Sequence, residues 1–200
     1  MKIYDRDYFD RWYHDQDTRI LMRGSLERKV ALAVASAEFV LGRTIRSVLD
    51  VGCGEGLWRP QLRKLRPGLR YTGVDGSAYV VQRHGRRRNI RLARFGDLGK
   101  LGLDGPFDLV VCSDVLHYVP TAELARGIRA IGRHTQGLAW VEVFTAADET
   151  VGDHVEYHER PSRTYTRLFA AAGLTPIGLY AFVPRDVRRT LTAFERGGRR

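Results

Sequence analysis

The chain has 200 residues, of which 44% are hydrophobic and 28% charged, the composition of an ordinary globular protein with room for a real core. Its two cysteines exclude a disulfide framework, and no apolar run approaches the roughly 18–20 residues that a bilayer span needs. The net charge of +10, carried mostly by arginine clusters at Arg86–Arg88, Arg185–Arg189 and Arg196–Arg200, permits an anionic partner, but the clusters lack the interleaved aromatics of a base-stacking platform and read first as solvated surface.

The N-terminus is acidic and aromatic, without the apolar stretch of a secretory leader, so a cytoplasmic setting is the default expectation. Tyr8, Phe9, Trp12 and Tyr13 can share one face of a short helix, with Tyr4 just before it. Ser25 is expected to cap a helix that runs to about Leu41 and stops at Gly42, completing an N-terminal helical cap region over residues 1–42. From residue 43 to 200 strands and helices alternate. Ile45–Val51 reads as a strand, and Leu57–Leu65 as a helix that tolerates Pro60 only in its first turn. Leu69–Asp75 is the second strand, Ser77 caps a helix to about Arg87, and Ile90–Phe95 is the third strand. Phe107–Cys112 is nearly all apolar, as a central parallel strand should be. Thr121 caps a helix to Gly132, Leu138–Phe144 is the fifth strand, and Ser162 caps a helix to Ala172 that Gly173 ends. Leu174–Phe182 and Thr190–Glu195 are expected to pair as a closing hairpin.

This alternation, uninterrupted by a linker, predicts a single α/β domain with a doubly wound, mostly parallel sheet and right-handed crossovers. Ligands in such sheets sit beyond the carboxyl ends of the strands, near the point where strand order reverses. The site is therefore expected at Asp50–Gly56, Asp75–Ser77, Gly96–Leu98, Ser113–Tyr118 and from Phe144 onward.

In Val48–Gly56, Gly52, Gly54 and Gly56 follow a strand and precede a helix, which suits a tight turn and close ligand approach. Their spacing departs from the G-x-G-x-x-G dinucleotide pattern. An acid also precedes them, which serves an ammonium or sulfonium group better than a pyrophosphate. Asp75, roughly twenty residues on, can accept from a ribose diol, and Gly76 and Ser77 turn the chain into a capped helix. After the third strand, Asp97 can accept from an adenine amino group and the Leu98 N–H can donate to a ring nitrogen.

VLDVGCGEG, YTGVDGS, FGDL and FDLVVCSDVLHYV, in that order, resemble the successive S-adenosylmethionine-binding motifs of class I methyltransferases. The resemblance covers about Ile45–Tyr118 by motif, and Leu138–Glu195 in architecture only. It implies a seven-stranded sheet with an antiparallel last hairpin. It implies S-adenosyl-L-methionine as cofactor, with S-adenosyl-L-homocysteine as its product. Asp50, Gly52, Cys53 and Gly54 would surround the methionine part, Asp75 with Gly76 and Ser77 the ribose, and Asp97 and Leu98 the adenine. Ser113 would lie beside the methionine moiety.

On the acceptor side, His117 is the candidate general base, and Tyr8, Trp12, Tyr118 and Phe144 are candidate pocket residues. Thr145–Arg163 would form part of a lid. Its acids and histidines show no two-histidine spacing on a helix, so no metal is expected. The leading expectation is methyl transfer to an O or N atom of a small-molecule acceptor, with no membrane partner. A nucleic-acid or protein methyltransferase is the alternative. Against it, Ser113–Leu116 lacks the [DNS]-P-P-[YFW] pattern that resembles the site of enzymes methylating exocyclic or glutamine amino groups. A non-catalytic S-adenosylmethionine-binding protein is a third reading.

Overall fold

The computed structural model describes residues 4–15, 23–150 and 152–194; the Arg196–Arg200 cluster lies outside the described residues. An N-terminal arm forms a helical turn, α1 (Arg6–Phe9), and a π-helical turn, Asp10–His14, ahead of α2 (Arg23–Leu41). Then follow β1 (Ser47–Val51), α3 (Trp58–Leu65), β2 (Arg70–Asp75), α4 (Ala78–Arg88), β3 (Ile90–Leu92), β4 (Phe107–Ser113), α5 (Thr121–His134), β5 (Thr135–Glu142), α6 (Ser162–Ala171), β6 (Leu174–Gly178), β7 (Ala181–Pro184) and α7 (Arg185–Thr190).

The strands form one seven-stranded sheet in the order β3-β2-β1-β4-β5-β7-β6. β1 pairs in parallel with both β2 and β4, so strand order reverses between β1 and β4, and only β7 runs antiparallel to its neighbours. Alternate residues of each strand face opposite layers. In β4, Leu109 and Val111 pack with Val30, Val34 and Leu62 of α2 and α3, whereas Val110 and Cys112 pack with Leu124, Ile128 and Phe169 of α5 and α6. With both faces covered, β4 and β1 are buried throughout, which accounts for their apolar runs. No helix among the described residues is long and apolar enough to cross a membrane.

Element ends follow local chemistry, with some shifts from the expected bounds. Ser77 accepts from the Val80 N–H and caps α4, and Asn89 ends that helix in the left-handed region at φ 55. α2 starts at Arg23, which places Ser25 inside it rather than at its cap. Pro120 and Pro161 take the cap positions of α5 and α6, so Thr121 and Ser162 are first helical residues. The third strand stops at Leu92, because Phe95 enters a 3-10 turn, Phe95–Lys100.

The closing hairpin is placed differently from the expectation. Both its strands, β6 and β7, fall inside the stretch read as one strand, Leu174–Phe182, extended by two residues. The chain reverses at Leu179 and Tyr180, whose φ of 48 and 64 are the left-handed pair a two-residue hairpin needs. Neither is a glycine or asparagine, so the turn carried no signal. Pro184 then leads into α7, and Thr190 ends that helix instead of opening a strand.

Candidate active site

β1 delivers Asp50 and the glycine loop to the carboxyl edge of the sheet. Gly52, Gly54 and Gly56 take φ of 68, 50 and 73, a region that costs other residues about 1–2 kcal/mol. The Gly52 and Cys53 N–H groups donate to the Val74 carbonyl at 2.8 and 3.2 Å, extending the β1–β2 ladder past the strand end. The loop then reaches Asp75: Gly54 N donates to Oδ2 at 2.7 Å, and Ser77 N donates to Oδ1 at 2.8 Å. One carboxylate thereby ties the glycine loop to the turn at Gly76 and Ser77. Burial raises the Asp75 pKa, against the two N–H bonds that favour its charged form.

Asp50 is 2% exposed and takes one side-chain hydrogen bond, from the Tyr71 hydroxyl at 2.7 Å. Burial pushes its carboxyl up to about 7, with the Tyr71 hydrogen bond opposing. Asp108, at the opposite end of the sheet, is equally buried but saturated. It accepts from Arg43 at 2.6 Å, Gln136 at 2.5 Å, and the N–H groups of Arg46 and Ser47 at 2.6 and 3.2 Å. Asp108 is a structural hub, whereas Asp50 keeps acceptor capacity at the crevice. Cys53 is buried, and burial first of all holds its thiol well above the usual range, so it is no nucleophile at neutral pH.

The arm lies across this loop. Phe9 packs with Cys53, Val80 and Ile90, flanked by Tyr4, Tyr8 and Tyr13. Ser77 Oγ donates to the Tyr4 carbonyl at 2.6 Å. A Cβ added at Gly54 would collide with the Tyr13 hydroxyl, and one at Gly52 with Val115. Glu55, buried in the loop, lies 3.3 Å from His14 Nε2 and 3.5 Å from His84 Nε2. Hydrogen bonding to Asp10, and then to Glu55, raises the His14 pKa, while burial lowers that of His84. Trp12 stands apart from the aromatic cluster, with the Arg11 guanidinium 5.0 Å over its ring.

Beyond β4, Ser113 Oγ donates to Glu142 Oε2, which also accepts from Lys29 Nζ at 2.6 Å. Asp114 follows at φ 62, and His117 lies in the turn Leu116–Tyr118. The His117 ring is 1% exposed and stacks on Tyr157 at 4.7 Å, with Tyr118 at 4.4 Å and Phe144 at 5.5 Å. Neither ring nitrogen makes a hydrogen bond, although Nε2 lies 3.2 Å from Asp114 Oδ1. The Tyr118 hydroxyl donates to the Asp153 carbonyl at 2.8 Å. Tyr118, Phe144 and His117 are thus brought together. Asp97 sits separately at the surface, its Oδ1 2.7 Å from Lys100 Nζ and its pKa lowered by that partner, while Leu98 is buried in the core. Among the described residues no group of three His, Cys, Asp or Glu side chains is placed to hold a metal ion.

Sequence reasoning missed four residues here. Glu142 carries the same signal as Asp50 and Asp75, an acid at the end of an apolar strand, and was legible on that ground. Glu55 and Lys29 gave none, because their partners lie 41 and 113 residues away. Arg160, 7% exposed, was read only as part of a polar lid. Its guanidinium donates to the Leu116 and Val119 carbonyls at 3.2 and 2.7 Å and to Thr121 Oγ1 at 3.1 Å, clamping the His117 turn to the lid. Arg160→Met is expected to lower unfolding stability by about 2–4 kcal/mol in urea denaturation, since two buried carbonyls lose a charged donor. A loss under about 0.5 kcal/mol would show that the clamp is dispensable.

Residues 49–136 match the family of methyltransferase domains. The release factor glutamine methyltransferase of Chlorobaculum tepidum is 31% identical over 135 residues, which cover 62% of this chain and 43% of that protein. The chain thus spans less than half the length of that curated relative. The sugar N-methyltransferase KedS8 from a Streptoalloteichus species aligns with a TM-score of 0.61 at 21% identity, over 77% of this chain and 82% of that one. The magnesium protoporphyrin IX methyltransferase of Synechocystis, solved with S-adenosylhomocysteine bound, aligns with a TM-score of 0.61 at 18% identity, over 86% of each chain. The two solved structures speak for the fold, which is that of class I methyltransferases, and residues 49–136 are similar to the methyltransferase domain family.

Proposed function

We propose that the chain transfers a methyl group from S-adenosylmethionine to an O or N atom of a small-molecule acceptor. The observation that carries the reading is Asp75, whose carboxylate is fixed by the N–H groups of Gly54 and Ser77. Each of its oxygens keeps a lone pair for one hydroxyl of a ribose diol. The residues fit the rest of the cofactor as well. Asp50, with Gly52, Cys53 and Gly54, suits the cationic methionine end. Asp97 has its second oxygen available to an adenine amino group, beside the Leu98 backbone. When bound, S-adenosylmethionine supplies a sulfonium methyl, an electrophile that needs no further activation.

The protein's own task is to orient the acceptor and exclude water. The arm, packed on Cys53, and the stretch carrying Tyr157, packed on His117, would supply the cover on the acceptor side. Cover of this kind, drawn from the chain's own segments, would favour a small acceptor over a macromolecular one. Calorimetric titration with S-adenosylhomocysteine tests the reading: a micromolar Kd is expected, with about 2.7 kcal/mol of stabilisation at 100-fold excess over Kd. A folded protein that gives neither heat nor a thermal shift would overturn it.

A further inference from the structure

The arm is fastened to the glycine loop by a charged contact that the cofactor reading does not use. The π-helical turn Asp10–His14 sets its two end residues side by side, with His14 Nδ1 3.0 Å from Asp10 Oδ1. On its other side, His14 Nε2 lies 3.3 Å from Oε2 of Glu55, the buried acid between Gly54 and Gly56. A carboxylate only accepts, and a neutral imidazole has one N–H and one lone pair. Neutral His14 therefore satisfies one of the two acids and turns a lone pair on the other. The imidazolium donates to both. The geometry is that of a cation between two anions, one carried by the arm and one by the loop.

The surroundings favour a proton at this position. Hydrogen bonding to Asp10, and then to Glu55, raises the His14 pKa above its ordinary 6.5, with burial opposing. Within the arm, Arg6 Nε donates to Asp10 Oδ2 at 3.2 Å, and Asp15 follows His14 in the chain. From α4, His84 Nε2 lies 3.5 Å from Glu55 Oε1, and Arg88 donates to the Glu55 carbonyl. Burial, and then the Arg88 charge, lowers the His84 pKa, so of the two imidazoles beside Glu55 it is His14 that is favoured to carry charge. The rest of the fastening is independent of charge. Phe9 packs with Cys53, and the Tyr13 hydroxyl stands where a side chain at Gly54 would begin.

We infer that His14, as its imidazolium, is a positioning residue that latches the arm across the glycine loop and holds loop and arm in the form that takes the cofactor. The cofactor half of this rests on the methyltransferase reading above; the latch itself does not. The proton that closes the latch comes from solvent and returns to it. His14 binds that proton more tightly with the arm closed. Closure is therefore favoured most below about pH 6.5 and weakens as pH rises past the raised value. His14 and Asp10 are half-exposed, so the two contacts together change the closing equilibrium only about fivefold.

Amide hydrogen exchange of residues 4–15 in the full chain, corrected for the intrinsic pH dependence of exchange, reads arm closure without any ligand. The arm is expected to be protected about fivefold more at pH 5.5 than at pH 8.5. His14→Gln, which hydrogen-bonds but does not titrate in this range, is expected to remove the difference. Asp50→Asn is expected to keep it, which separates the latch from the carboxyl pushed up to about 7. Equal protection at both pH values in the wild type, or a difference that survives His14→Gln, would overturn the latch. Calorimetry with S-adenosylhomocysteine then tests the positioning role. The ratio of affinity at pH 5.5 to that at pH 8.5 is expected to be about threefold larger in the wild type than in His14→Gln. Equal ratios in the two proteins would overturn that role. Failure of S-adenosylhomocysteine to bind either protein would overturn the methyltransferase reading and the positioning role together, and leave the exchange result to decide the latch.

Discussion

Asp75→Ala is expected to lower the affinity for S-adenosylhomocysteine about 100-fold, measured by calorimetry beside the wild type. The magnitude follows from the hydrogen bonds at stake. A ribose diol donating twice to an ionised carboxylate makes charge-assisted bonds, each worth about 1.5–3 kcal/mol, and 100-fold corresponds to about 2.7 kcal/mol. The truncation also frees the Gly54 and Ser77 N–H groups, which Asp75 now holds at 2.7 and 2.8 Å, so the glycine loop loses its tie to the following strand. Stability is expected to fall by only about 1 kcal/mol, because removing the carboxylate also removes the burial that raises its pKa. Asp75→Asn separates the two effects. Its amide oxygen retains one N–H partner, so the fold is kept while a diol still loses a charged acceptor. Unchanged affinity in both variants would remove Asp75 from the ribose site.

The second large effect is a pH dependence centred on Asp50. Its carboxyl ordinarily titrates near 3.8 and is pushed up to about 7 in the fold. Between those values the folded protein holds a proton that the unfolded chain has released. The stability it contributes is fully present below about pH 4 and is lost as pH rises through about 7. The upper bound, at about 1.4 kcal/mol for each of three pH units, is about 4 kcal/mol. Asp50→Asn is expected to flatten this decline and to unfold at higher temperature than the wild type at pH 8, since the amide still accepts from the Tyr71 hydroxyl. Cofactor binding should show the opposite trend. Pairing with a sulfonium needs ionised Asp50, so affinity for S-adenosylmethionine is expected to rise from pH 6 to 8 more than that for its neutral thioether product. Denaturation and titration at several pH values, on wild type and Asp50→Asn, provide both tests. A stability difference between the two proteins that does not vary with pH would refute the assignment.

What the sequence disclosed divides along the range of the interactions involved. The glycine loop, Asp75 and the Ser77 cap are written within a few residues of one another, and backbone geometry then brings them into contact. β4 was legible because burial on both faces demands an unbroken apolar run. The hairpin was misplaced because its turn uses Leu179 and Tyr180, residues that local propensity assigns to strands; packing of β7 against β5 overrides that preference. Lys29, Glu142 and Ser113 meet only once α2 has docked on the sheet, and Arg160 finds its carbonyls only once the lid has folded back. Such contacts leave no periodic trace. His117 was found by its place after a strand, but its lack of a hydrogen-bond partner is a property of three-dimensional packing alone.

The arm has a thermodynamic consequence. Tyr13 rests on Gly54, and Tyr4 and Tyr8, a few residues earlier, meet edge-on, with the Tyr4 carbonyl held by the Ser77 hydroxyl. The arm packs on the glycine loop and on the Ser77 turn at once, so its opening and the occupation of that loop by a ligand are linked equilibria. Linkage makes the factor reciprocal: whatever affinity a ligand at the loop gains from the closed arm, the closed arm gains from the bound ligand.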